Sequence, residues 1–332
     1  MAEKENKSTI YQMNKYQYNL SIIIPAYNAA RFIERTITEA SQIVPTPEII
    51  VVDDGSQDGT YHVCKGLQNK LSTLYVYTQK NAGVSAARNL GIKYAHGKWL
   101  FFCDSDDWVD VDGITRVLKI ANEQKENTLM LAAMNFVKPD GVYLHIVPEK
   151  HNIKPHEYLA SNNFQGSSCN HLFPNKLIKG NHIQFPIGVV NTEDSNFNIK
   201  AICCCDNICS VNIPIYNYNH LNEEACHKTN FSMNWRIGPL LSSLDIIRFI
   251  EIKGIDISIV FQQIDRLVEY YYRSHIYGKH TTDELRDISQ LLRSIGQKCP
   301  NITISPKYKI MTHLPVVGIC LLRIYNRIKF GK

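Results

Sequence analysis

Short apolar runs alternate with segments of helical spacing through the first third of the chain. Each run is bounded by polar or turn-forming residues, as expected of a strand that is covered on both faces. Strands that alternate with helices at this interval predict βαβ units and a parallel sheet, so the predicted fold class is α/β. Right-handed crossovers then put the loop after each strand on the same edge of the sheet. The four runs are Leu20–Ile24, Glu48–Val52, Leu74–Thr78 and Trp99–Cys103, and the helical segments begin near Arg31, Asp58 and Val84.

Polar residues follow every one of these runs. Ligands of open α/β sheets bind at the carboxyl ends of the strands, so the shared edge is the predicted binding site. Asp, Asn and Gly also make good turns, which is the simpler explanation for Asp58 and Gly59. That explanation fits Asp53 poorly, because Asp53 directly follows a buried strand. The strand-end residues are Tyr27, Asn28, Asp53, Asp54, Asn81, Gly83 and the cluster from Asp104 to Asp107.

The cluster Asp104-Ser105-Asp106-Asp107 predicts a metal site. Carboxylates packed this closely repel each other unless a cation lies between them. Mg²⁺ typically takes one or two carboxylates together with substrate phosphates. An Asp-x-Asp at a strand end therefore suggests a metal that bridges the protein to a nucleotide diphosphate. The alternative is a solvated acidic turn, which this tetrapeptide by itself does not exclude.

The composition indicates a globular protein that does not bind nucleic acid. Hydrophobic residues make up 44% and charged residues 20% of the sequence, which disfavours disorder. A net charge of +5 without a dense run of Lys and Arg gives no electrostatic footprint for DNA or RNA. Met1–Lys15 lacks the apolar core of a secretory signal, so we expect a cytoplasmic protein with reduced thiols.

The pattern is less regular in the second half of the chain. Leu129–Phe136 predicts another strand, with Val142–Ile146 as its hairpin partner. Residues 151–191 are irregular and predict a loop-rich segment over the pocket. Beyond Asn230 the spacing of apolar residues is helical.

The tail combines an apolar run with basic residues. Leu314–Leu322 has nine residues, whereas a helix needs about 20 to span a bilayer. Arg323 and Arg327 follow it. A basic helix of this kind can lie in an anionic membrane surface, or it can pack on the domain as a terminal helix, and the sequence favours neither.

Four segments together resemble the family-2 glycosyltransferases, and they occur in that family's order. The resemblance covers Leu20 to about Asp112, with a second match at Glu193-Asp194. It implies the GT-A fold, with a Rossmann-like nucleotide-binding half, a mostly parallel central sheet, an acceptor-side region and C-terminal helices. The implied divisions are a polar leader over 1–18, a glycosyltransferase domain over 19–230 and a helical region over 231–332. The segments are Ser21–Asn28, Ile49–Ser56, Asn81–Gly91 and Phe101–Asp107.

The resemblance also implies roles for the strand-end residues. Asp54 should hydrogen-bond the nucleotide base, with Asp53 nearby. Arg88 should support the nucleotide side or serve instead as a structural ion-pair partner. Asp104 should contact the ribose. The implied nucleotide-binding residues are Pro25, Ala26 and Tyr27 in the base pocket, together with Asp53, Asp54, Asn81, Arg88, Asp104 and Ser105.

By the same resemblance, Asp106 should ligate a divalent cation, Mn²⁺ or Mg²⁺, with Asp104 as a second ligand. Asp107 should lie near the donor sugar or behind the metal ligands. The family places its catalytic base in an acidic dipeptide well after the metal motif, which Glu193-Asp194 matches, with Asp194 as the expected base. The alternative is that both residues simply begin a helix, where the helix dipole favours acidic groups.

The implied activity is the inverting, metal-dependent transfer of a single hexosyl or N-acetylhexosaminyl group from a nucleotide-diphosphate donor. A UDP-sugar is favoured as donor, and a glycan or lipid-linked glycan in capsule, exopolysaccharide or lipopolysaccharide assembly as acceptor. The Gln-x-x-Arg-Trp motif of processive synthases is absent from the sequence, which favours addition of one sugar.

Two other functions stay open at this stage. A sugar-phosphate nucleotidyltransferase has a similar architecture, although Pro25–Asn28 stands where such enzymes usually carry a Gly-rich phosphate loop. A non-catalytic module that binds sugar nucleotides would need the same nucleotide residues. The metal motif and the base candidate together argue against the second of these.

Overall fold

A ten-stranded mixed sheet forms the first of two compact units in the computed structural model. The structure describes residues 16–147, 149–221, 233–275 and 282–299. Within them, the first unit comprises residues up to 155, residues 167–187 and residues from 204 to 221. The second unit comprises residues 156–166, residues 188–203 and the described residues from 233 onward.

Four neighbouring strands of the sheet are parallel, which confirms the prediction from the strand–helix alternation. Their spatial order is β3-β2-β1-β4, so the chain starts in the middle of this half and builds outward in both directions. The strands are β1 (Tyr18–Ala26), β2 (Glu48–Asp53), β3 (Leu74–Thr78) and β4 (Gly97–Phe102).

Helices α1 (Ile33–Ala40), α2 (Thr60–Gln68) and α3 (Val84–Tyr94) connect these strands. In α1 the buried residues include Ile33, Ile37 and Ala40, the spacing that the sequence predicts for an inner face. In α3, Gly91 lies so close to β1 that an added Cβ would be 2.4 Å from Ile23 Cγ2. The absence of a side chain at Gly91 therefore lets α3 approach the sheet.

The remaining strands extend the sheet past β4 in mixed directions. The order continues as β4-β9-β6-β10-β5, with β7 paired to β6 and β8 paired to β10. β6 and β10 are parallel, whereas β9 is antiparallel to both of its neighbours. These strands are β5 (Trp108–Val109), β6 (Thr128–Lys138), β7 (Gly141–His145), β8 (Lys150–Ile153), β9 (His171–Pro174) and β10 (Asn207–Asn219).

The prediction of a loop-rich segment over residues 151–191 is wrong in one important respect. β9 lies inside that segment, is wholly buried and joins the parallel half to the rest of the sheet. Four residues are too few to show a strand period, and β9 forms through partners distant in sequence, such as Trp99, which pairs with Pro174. The segment also contains most of β8 and two short helices.

The helices after β4 divide between the two units. In the first unit, α4 runs between β5 and β6, and α6 follows β9. The second unit contains almost all of α5 and α7 together with the three later helices. The bounds are α4 (Val111–Glu123), α5 (Pro155–Ala160), α6 (Asn175–Gly180), α7 (Glu193–Cys204), α8 (Met233–Lys253), α9 (Phe261–His275) and α10 (Thr282–Lys298).

Buried apolar residues on the helices form the core of the second unit. Ile264, Leu267, Val268 and Tyr271 are buried along one side of α9, as their spacing predicts. Polar ties add to this packing within the unit. Lys200 on α7 forms an ion pair with Asp245 on α8, Asn196 Nδ2 donates to Ser242 O at 3.1 Å, and Gln263 Nε2 donates to Leu159 O at 2.5 Å.

None of the helices in the described ranges combines the length and the apolar character that a bilayer crossing requires. The basic tail from Leu314 to Lys332 lies outside the described residues. Its membrane-surface and packing alternatives both stay predictions, as do the divisions at 18 and 230.

Candidate active site

The loops after β1, β2, β3 and β4 meet at one edge of the sheet because these strands are parallel neighbours. Backbone hydrogen bonds continue the sheet into the loops. Asp54 N donates to Ala26 O at 2.8 Å, Gln79 N donates to Asp53 O at 3.0 Å, and Cys103 N donates to Ile23 O at 3.1 Å. The residues that the sequence places at strand ends are therefore held next to each other.

Asp54 organises the loop between β3 and α3. Its carboxylate is buried and accepts three hydrogen bonds. Oδ1 accepts from Gln79 Nε2 at 2.7 Å and from Ala82 N at 2.8 Å, and Oδ2 accepts from Gly83 N at 2.8 Å. A carboxylate oxygen has two lone pairs, so Oδ2 retains acceptor capacity for one more donor. The same loop carries the exposed Asn81.

Gly55 lies directly against this loop. Its backbone is left-handed, with φ of +75°, and an added Cβ would be 3.0 Å from Asn81 N and 3.3 Å from Gln79 O. A side chain at this position would meet both an unfavourable backbone conformation and fixed backbone atoms. The close approach of the two loops thus accounts for the glycine in the Asp-Asp-Gly-Ser sequence.

Tyr27 presents an exposed aromatic ring at the end of β1. About half of its surface is accessible (51%), whereas Ala26 before it is buried. Asn28 adopts a left-handed conformation with φ of 52° and is fixed to the neighbouring loop, because its Oδ1 accepts from Gln57 N at 2.9 Å. The ring of Tyr27 is therefore carried on a tethered turn.

Asp53 faces away from Asp54, as consecutive residues at a strand end do. It borders a cleft of about 510 Å³ that Ser56, Tyr61 and Thr78 also line. Ser56 N approaches Asp53 Oδ1 at 3.4 Å. Asp53 and Asp54 thus lie beside different parts of the sheet edge.

Arg88 forms an ion pair with Asp104. Arg88 Nη2 lies 2.8 Å from Asp104 Oδ1, and the Arg88 side chain is 3% exposed whereas that of Asp104 is 33% exposed. The guanidinium carbon lies 5.1 Å from the centre of the Phe185 ring, and Asn89 holds the backbone of Phe185 by two hydrogen bonds. The ion-pair alternative predicted for Arg88 is the arrangement found here, and a contact between Arg88 and a nucleotide stays a prediction.

Asp106 lies in a crowded acidic environment. Burial, followed by the negative charge of Asp104, raises the pKa of Asp106. Among the residues that the structure describes, no cationic side chain pairs with the Asp106 carboxylate. Asp107 is more deeply buried, and burial together with the charge of Asp104 raises its pKa to about 8, although hydrogen bonds from Tyr216 and Asn219 oppose this.

The carboxylate oxygens of the acidic loop fit a hard divalent cation whose remaining ligands come from a bound substrate. In the described ranges, no three His, Cys, Asp or Glu side chains are gathered into a metal site. Asp104 and Asp106 are nearby oxygen donors, which is the one or two carboxylates that Mg²⁺ takes when substrate phosphates complete its coordination. A cation here would also relieve the repulsion that raises the pKa of Asp106.

Three residues that the sequence did not single out hold the acidic loop. Thr36 comes from α1, and Tyr216 and Asn219 come from β10. They belong to no motif, and their partners are at least 69 residues away in sequence. Only Asn219, a polar residue at a strand end, carries the signal used for the other site residues.

Glu193 and Asp194 lie in the first turn of α7, which confirms the predicted helix start. Asn196 N donates to Thr192 O at 3.0 Å and begins the helical hydrogen bonding. Both acidic residues belong to the second unit, whereas the strand-end residues belong to the first. The catalytic role of Asp194 stays a prediction.

Residues 21–179, just under half of the chain, match the family model for glycosyl transferase family 2. Residues 21–179 thus carry a glycosyl transferase family 2 domain. The matched range contains every site residue predicted after β1, β2, β3 and β4, and it ends before Tyr216 and Asn219 of β10. It excludes Asp194 and the helices from α7 onward.

Two curated relatives match this chain over about 60% of its length. It is 27% identical over 212 residues to EpsH of Bacillus subtilis, which covers 61% of each chain. It is 28% identical over 205 residues to TarS of Staphylococcus aureus, a poly(ribitol-phosphate) β-N-acetylglucosaminyltransferase, which covers 60% of this chain and 35% of TarS. The alignments therefore span less than two thirds of either relative.

Solved structures confirm the fold. Residues 1–349 of S. aureus TarS in complex with UDP-GlcNAc superimpose with a TM-score of 0.75 at 20% identity, covering 95% of this chain and 92% of that one. The mannosyltransferase PcManGT of Pyrobaculum calidifontis, in complex with GDP-Man and Mn²⁺, gives 0.53 at 14% identity, covering 96% and 93%. The chain therefore has the GT-A fold.

Proposed function

We propose that this protein transfers one sugar from a nucleotide-diphosphate donor to a hydroxyl acceptor, with inversion at the anomeric carbon. The observation that best supports this is the arrangement around the start of α3. Asp54 fixes the loop that leads into α3, and Arg88 on α3 pairs with Asp104 of the acidic loop. Base-binding and phosphate-binding candidates are thereby brought to one sheet edge in the matched range.

The nucleotide is bound by residues after β1, β2 and β3. The exposed ring of Tyr27 offers a face on which a base stacks, and Pro25 and Ala26 form the wall behind it. Asp54 Oδ2 accepts a hydrogen bond from a ring N–H of the base with its remaining lone pair. Such a contact selects a base with a donor at that position, which uracil has. Asn81 and Ser105 flank the nucleotide.

The diphosphate lies over the acidic loop. Asp106 and Asp104 would hold a divalent cation, Mn²⁺ or Mg²⁺, and that cation would supply positive charge against the charge that develops on the leaving diphosphate. Arg88 keeps the Asp104 carboxylate in place through the ion pair at 2.8 Å. No proton transfer to the leaving group is then needed.

The acceptor hydroxyl needs a base, because it must lose a proton as it attacks the anomeric carbon. We assign this role to Asp194, with Glu193 beside it in the same helical turn. Direct attack on the face opposite the leaving diphosphate inverts the anomeric configuration. We propose a hexosyl or N-acetylhexosaminyl group from a UDP-sugar as the transferred group, and a glycan or lipid-linked glycan of a bacterial surface polysaccharide as the acceptor.

A donor screen tests this function. Purified protein is incubated with UDP-, GDP- and dTDP-sugars in the presence of Mn²⁺ or Mg²⁺, and released nucleotide diphosphate is measured. We expect metal-dependent release from one donor class. Release of pyrophosphate from a nucleoside triphosphate would indicate a nucleotidyltransferase instead, and donor binding without turnover across a wide acceptor panel would indicate a binding module.

The variant Asp106→Asn tests the metal assignment. It removes one negative charge from the acidic loop without a change in size, so we expect turnover to fall at least about a hundredfold and Mn²⁺ binding to be lost. The matched control is Asp112→Asn, an exposed acidic residue six positions later in the first turn of α4. Full activity in Asp106→Asn would contradict the metal role.

A further inference from the structure

Asp107 is bound by the protein itself on both of its carboxylate oxygens. Tyr216 Oη donates to Asp107 Oδ2, and Asn219 N donates to Asp107 Oδ1 at 2.7 Å. Both donors come from the end of β10, which is about 110 residues farther along the chain. The Asp107 side chain is buried with Tyr216 and turned toward this strand.

Tyr216 touches both ends of the acidic loop. Besides donating to Asp107, its hydroxyl accepts from Asp104 N at 3.3 Å. The Tyr216 side chain is fully buried, and its ring packs edge-on against Phe101 of β4 with centres 6.3 Å apart. The Tyr216 ring, packed against β4, therefore holds its hydroxyl between the first and the last residue of the acidic loop.

Two further side chains hold the middle of the loop. Asn219 Nδ2 donates to Asp106 O at 2.9 Å. Thr36 Oγ1, on α1, donates to Asp107 O at 2.7 Å and also lies 3.0 Å from Ser105 O. Each of the four loop residues thus has at least one main-chain or side-chain atom fixed from outside the loop.

Such ties are needed because the loop concentrates like charges. The charge of Asp104 acts against the ionised forms of Asp106 and Asp107, and a loop without external bonds would spread to separate the carboxyl groups. The bonds from Tyr216 and Asn219 favour the ionised form of Asp107 and hold its carboxyl group against that spreading. The loop is then already in position when a cation arrives.

We propose that Tyr216, together with Asn219 and Thr36, is a positioning residue that clamps Asp107 and so presents Asp104 and Asp106 to the metal. Asp107 is the anchor of the loop and not a metal ligand. This inference rests on the proposed function, because it assumes that the loop binds a metal–nucleotide complex. Its consequence is that residues of β10, outside the range matched by the family model, determine metal affinity.

The variant Tyr216→Phe tests the clamp by removing one hydroxyl and keeping the ring. Mn²⁺ binding is measured in the presence of saturating UDP, alongside kcat and KM for the donor. We expect Mn²⁺ to bind about tenfold more weakly, the scale of one lost hydrogen bond to a charged group. Saturating Mn²⁺ should restore most of kcat, whereas a general structural defect would not be rescued by metal.

Tyr158→Phe is the matched control. Tyr158 is also a buried tyrosine, its hydroxyl accepts from Gln165 N at 3.0 Å, and it belongs to the second unit. We expect Tyr158→Phe to lower the melting temperature without changing Mn²⁺ affinity. Equal Mn²⁺ affinity in Tyr216→Phe and in the wild type would overturn the clamp.

Thr36 supplies a second, independent pair of variants. Thr36→Val removes the hydroxyl at constant shape, and Thr36→Ser keeps it. We expect weaker Mn²⁺ binding in Thr36→Val and near-normal binding in Thr36→Ser. A wild-type protein that binds no Mn²⁺ with UDP would overturn the proposed function and the clamp together, whereas normal binding in both Thr36→Val and Tyr216→Phe would overturn the clamp alone.

Discussion

The acidic residues at the sheet edge differ in their surroundings, and those surroundings decide what each residue can do. Asp54 accepts three hydrogen bonds and therefore shapes a loop. Asp104 pairs with a buried guanidinium, and Asp107 is bound on both oxygens by β10. Among the described residues, the Asp106 carboxylate is the member of this group that neither pairs with a cation nor accepts a hydrogen bond from another residue, which makes it the strongest candidate for a metal ligand.

Two glycines allow the effect of backbone strain to be distinguished from the effect of contact between loops. Gly55 and Gly59 both have left-handed backbones, with φ of +75° and +94°, but an added Cβ meets the Asn81 loop only at Gly55 and meets nothing within 4 Å at Gly59. We expect Gly55→Ala and Gly59→Ala each to lose about 1 kcal/mol of stability from the backbone. Only Gly55→Ala should also weaken UDP binding, measured by calorimetry.

Equal UDP affinity in the two alanine variants would show that the Asn81 loop does not contact the nucleotide. Equal losses of UDP affinity would point to a general effect of strain in this loop. The difference between the two variants is therefore the informative quantity.

At the scale of elements, the sequence predicted those helices and strands whose own residues show a helical period or an apolar run. α1, α3 and the parallel strands each show a period or an apolar run within their own residues. β9 shows no such pattern, because its four residues form a strand only through pairing with β4 and β6. Short strands of this kind are specified by distant partners, which local periodicity does not contain.

Helix α9 carries a half-buried acidic residue, Asp265, that should make the stability of the protein depend on pH. Burial, followed by the charge of Glu269 one turn later, raises the pKa of Asp265 to about 6. The folded state therefore holds this proton more tightly than the unfolded state, whose pKa is near 3.9. The stability contributed by the protonated group is fully present below about pH 4 and is lost as pH rises through about 6.

Asp265→Asn removes this dependence, because the amide does not ionise. We expect the variant to be more stable than the wild type at pH 7, by about 1 kcal/mol after allowance for partial exposure, and equally stable near pH 4. Thermal unfolding at the two pH values measures this. Asp287→Asn on α10, an exposed position, is the control and should show no pH-dependent gain.

At the scale of the whole molecule, the sequence predicted which candidate residues share one sheet edge, but it did not indicate the contacts that support them. Tyr27, Asp54, Asp104 and Asp106 follow buried strands, so parallel topology alone brings them to one edge. The contacts from Tyr216 depend on the position of β10 in the sheet, and no sequence motif predicts that position. The role of Asp194 was predicted from family resemblance. The structure shows that Asp194 lies in the first turn of a helix, and it does not test the catalytic role.

The proposed roles of Asp54, Asp106 and Asp194 predict that variants can separate nucleotide binding from catalysis. Asp194→Asn should lower kcat about a hundredfold or more while UDP affinity stays within about twofold, because the residues proposed to bind the nucleotide belong to the first unit and Asp194 belongs to the second. Glu157→Gln, an exposed acidic residue in the first turn of α5, is the control for a simple effect of charge at a helix start. Loss of UDP affinity in Asp194→Asn would remove Asp194 from the role of base.

A crystal structure with UDP and Mn²⁺, with anomalous data at the manganese edge, tests the central claim most directly. We predict one manganese peak in contact with the Asp106 carboxylate and the diphosphate, and the uracil ring against Tyr27 with its N–H toward Asp54. A nucleotide bound elsewhere on the protein, or a metal coordinated without Asp106, would contradict the proposed site.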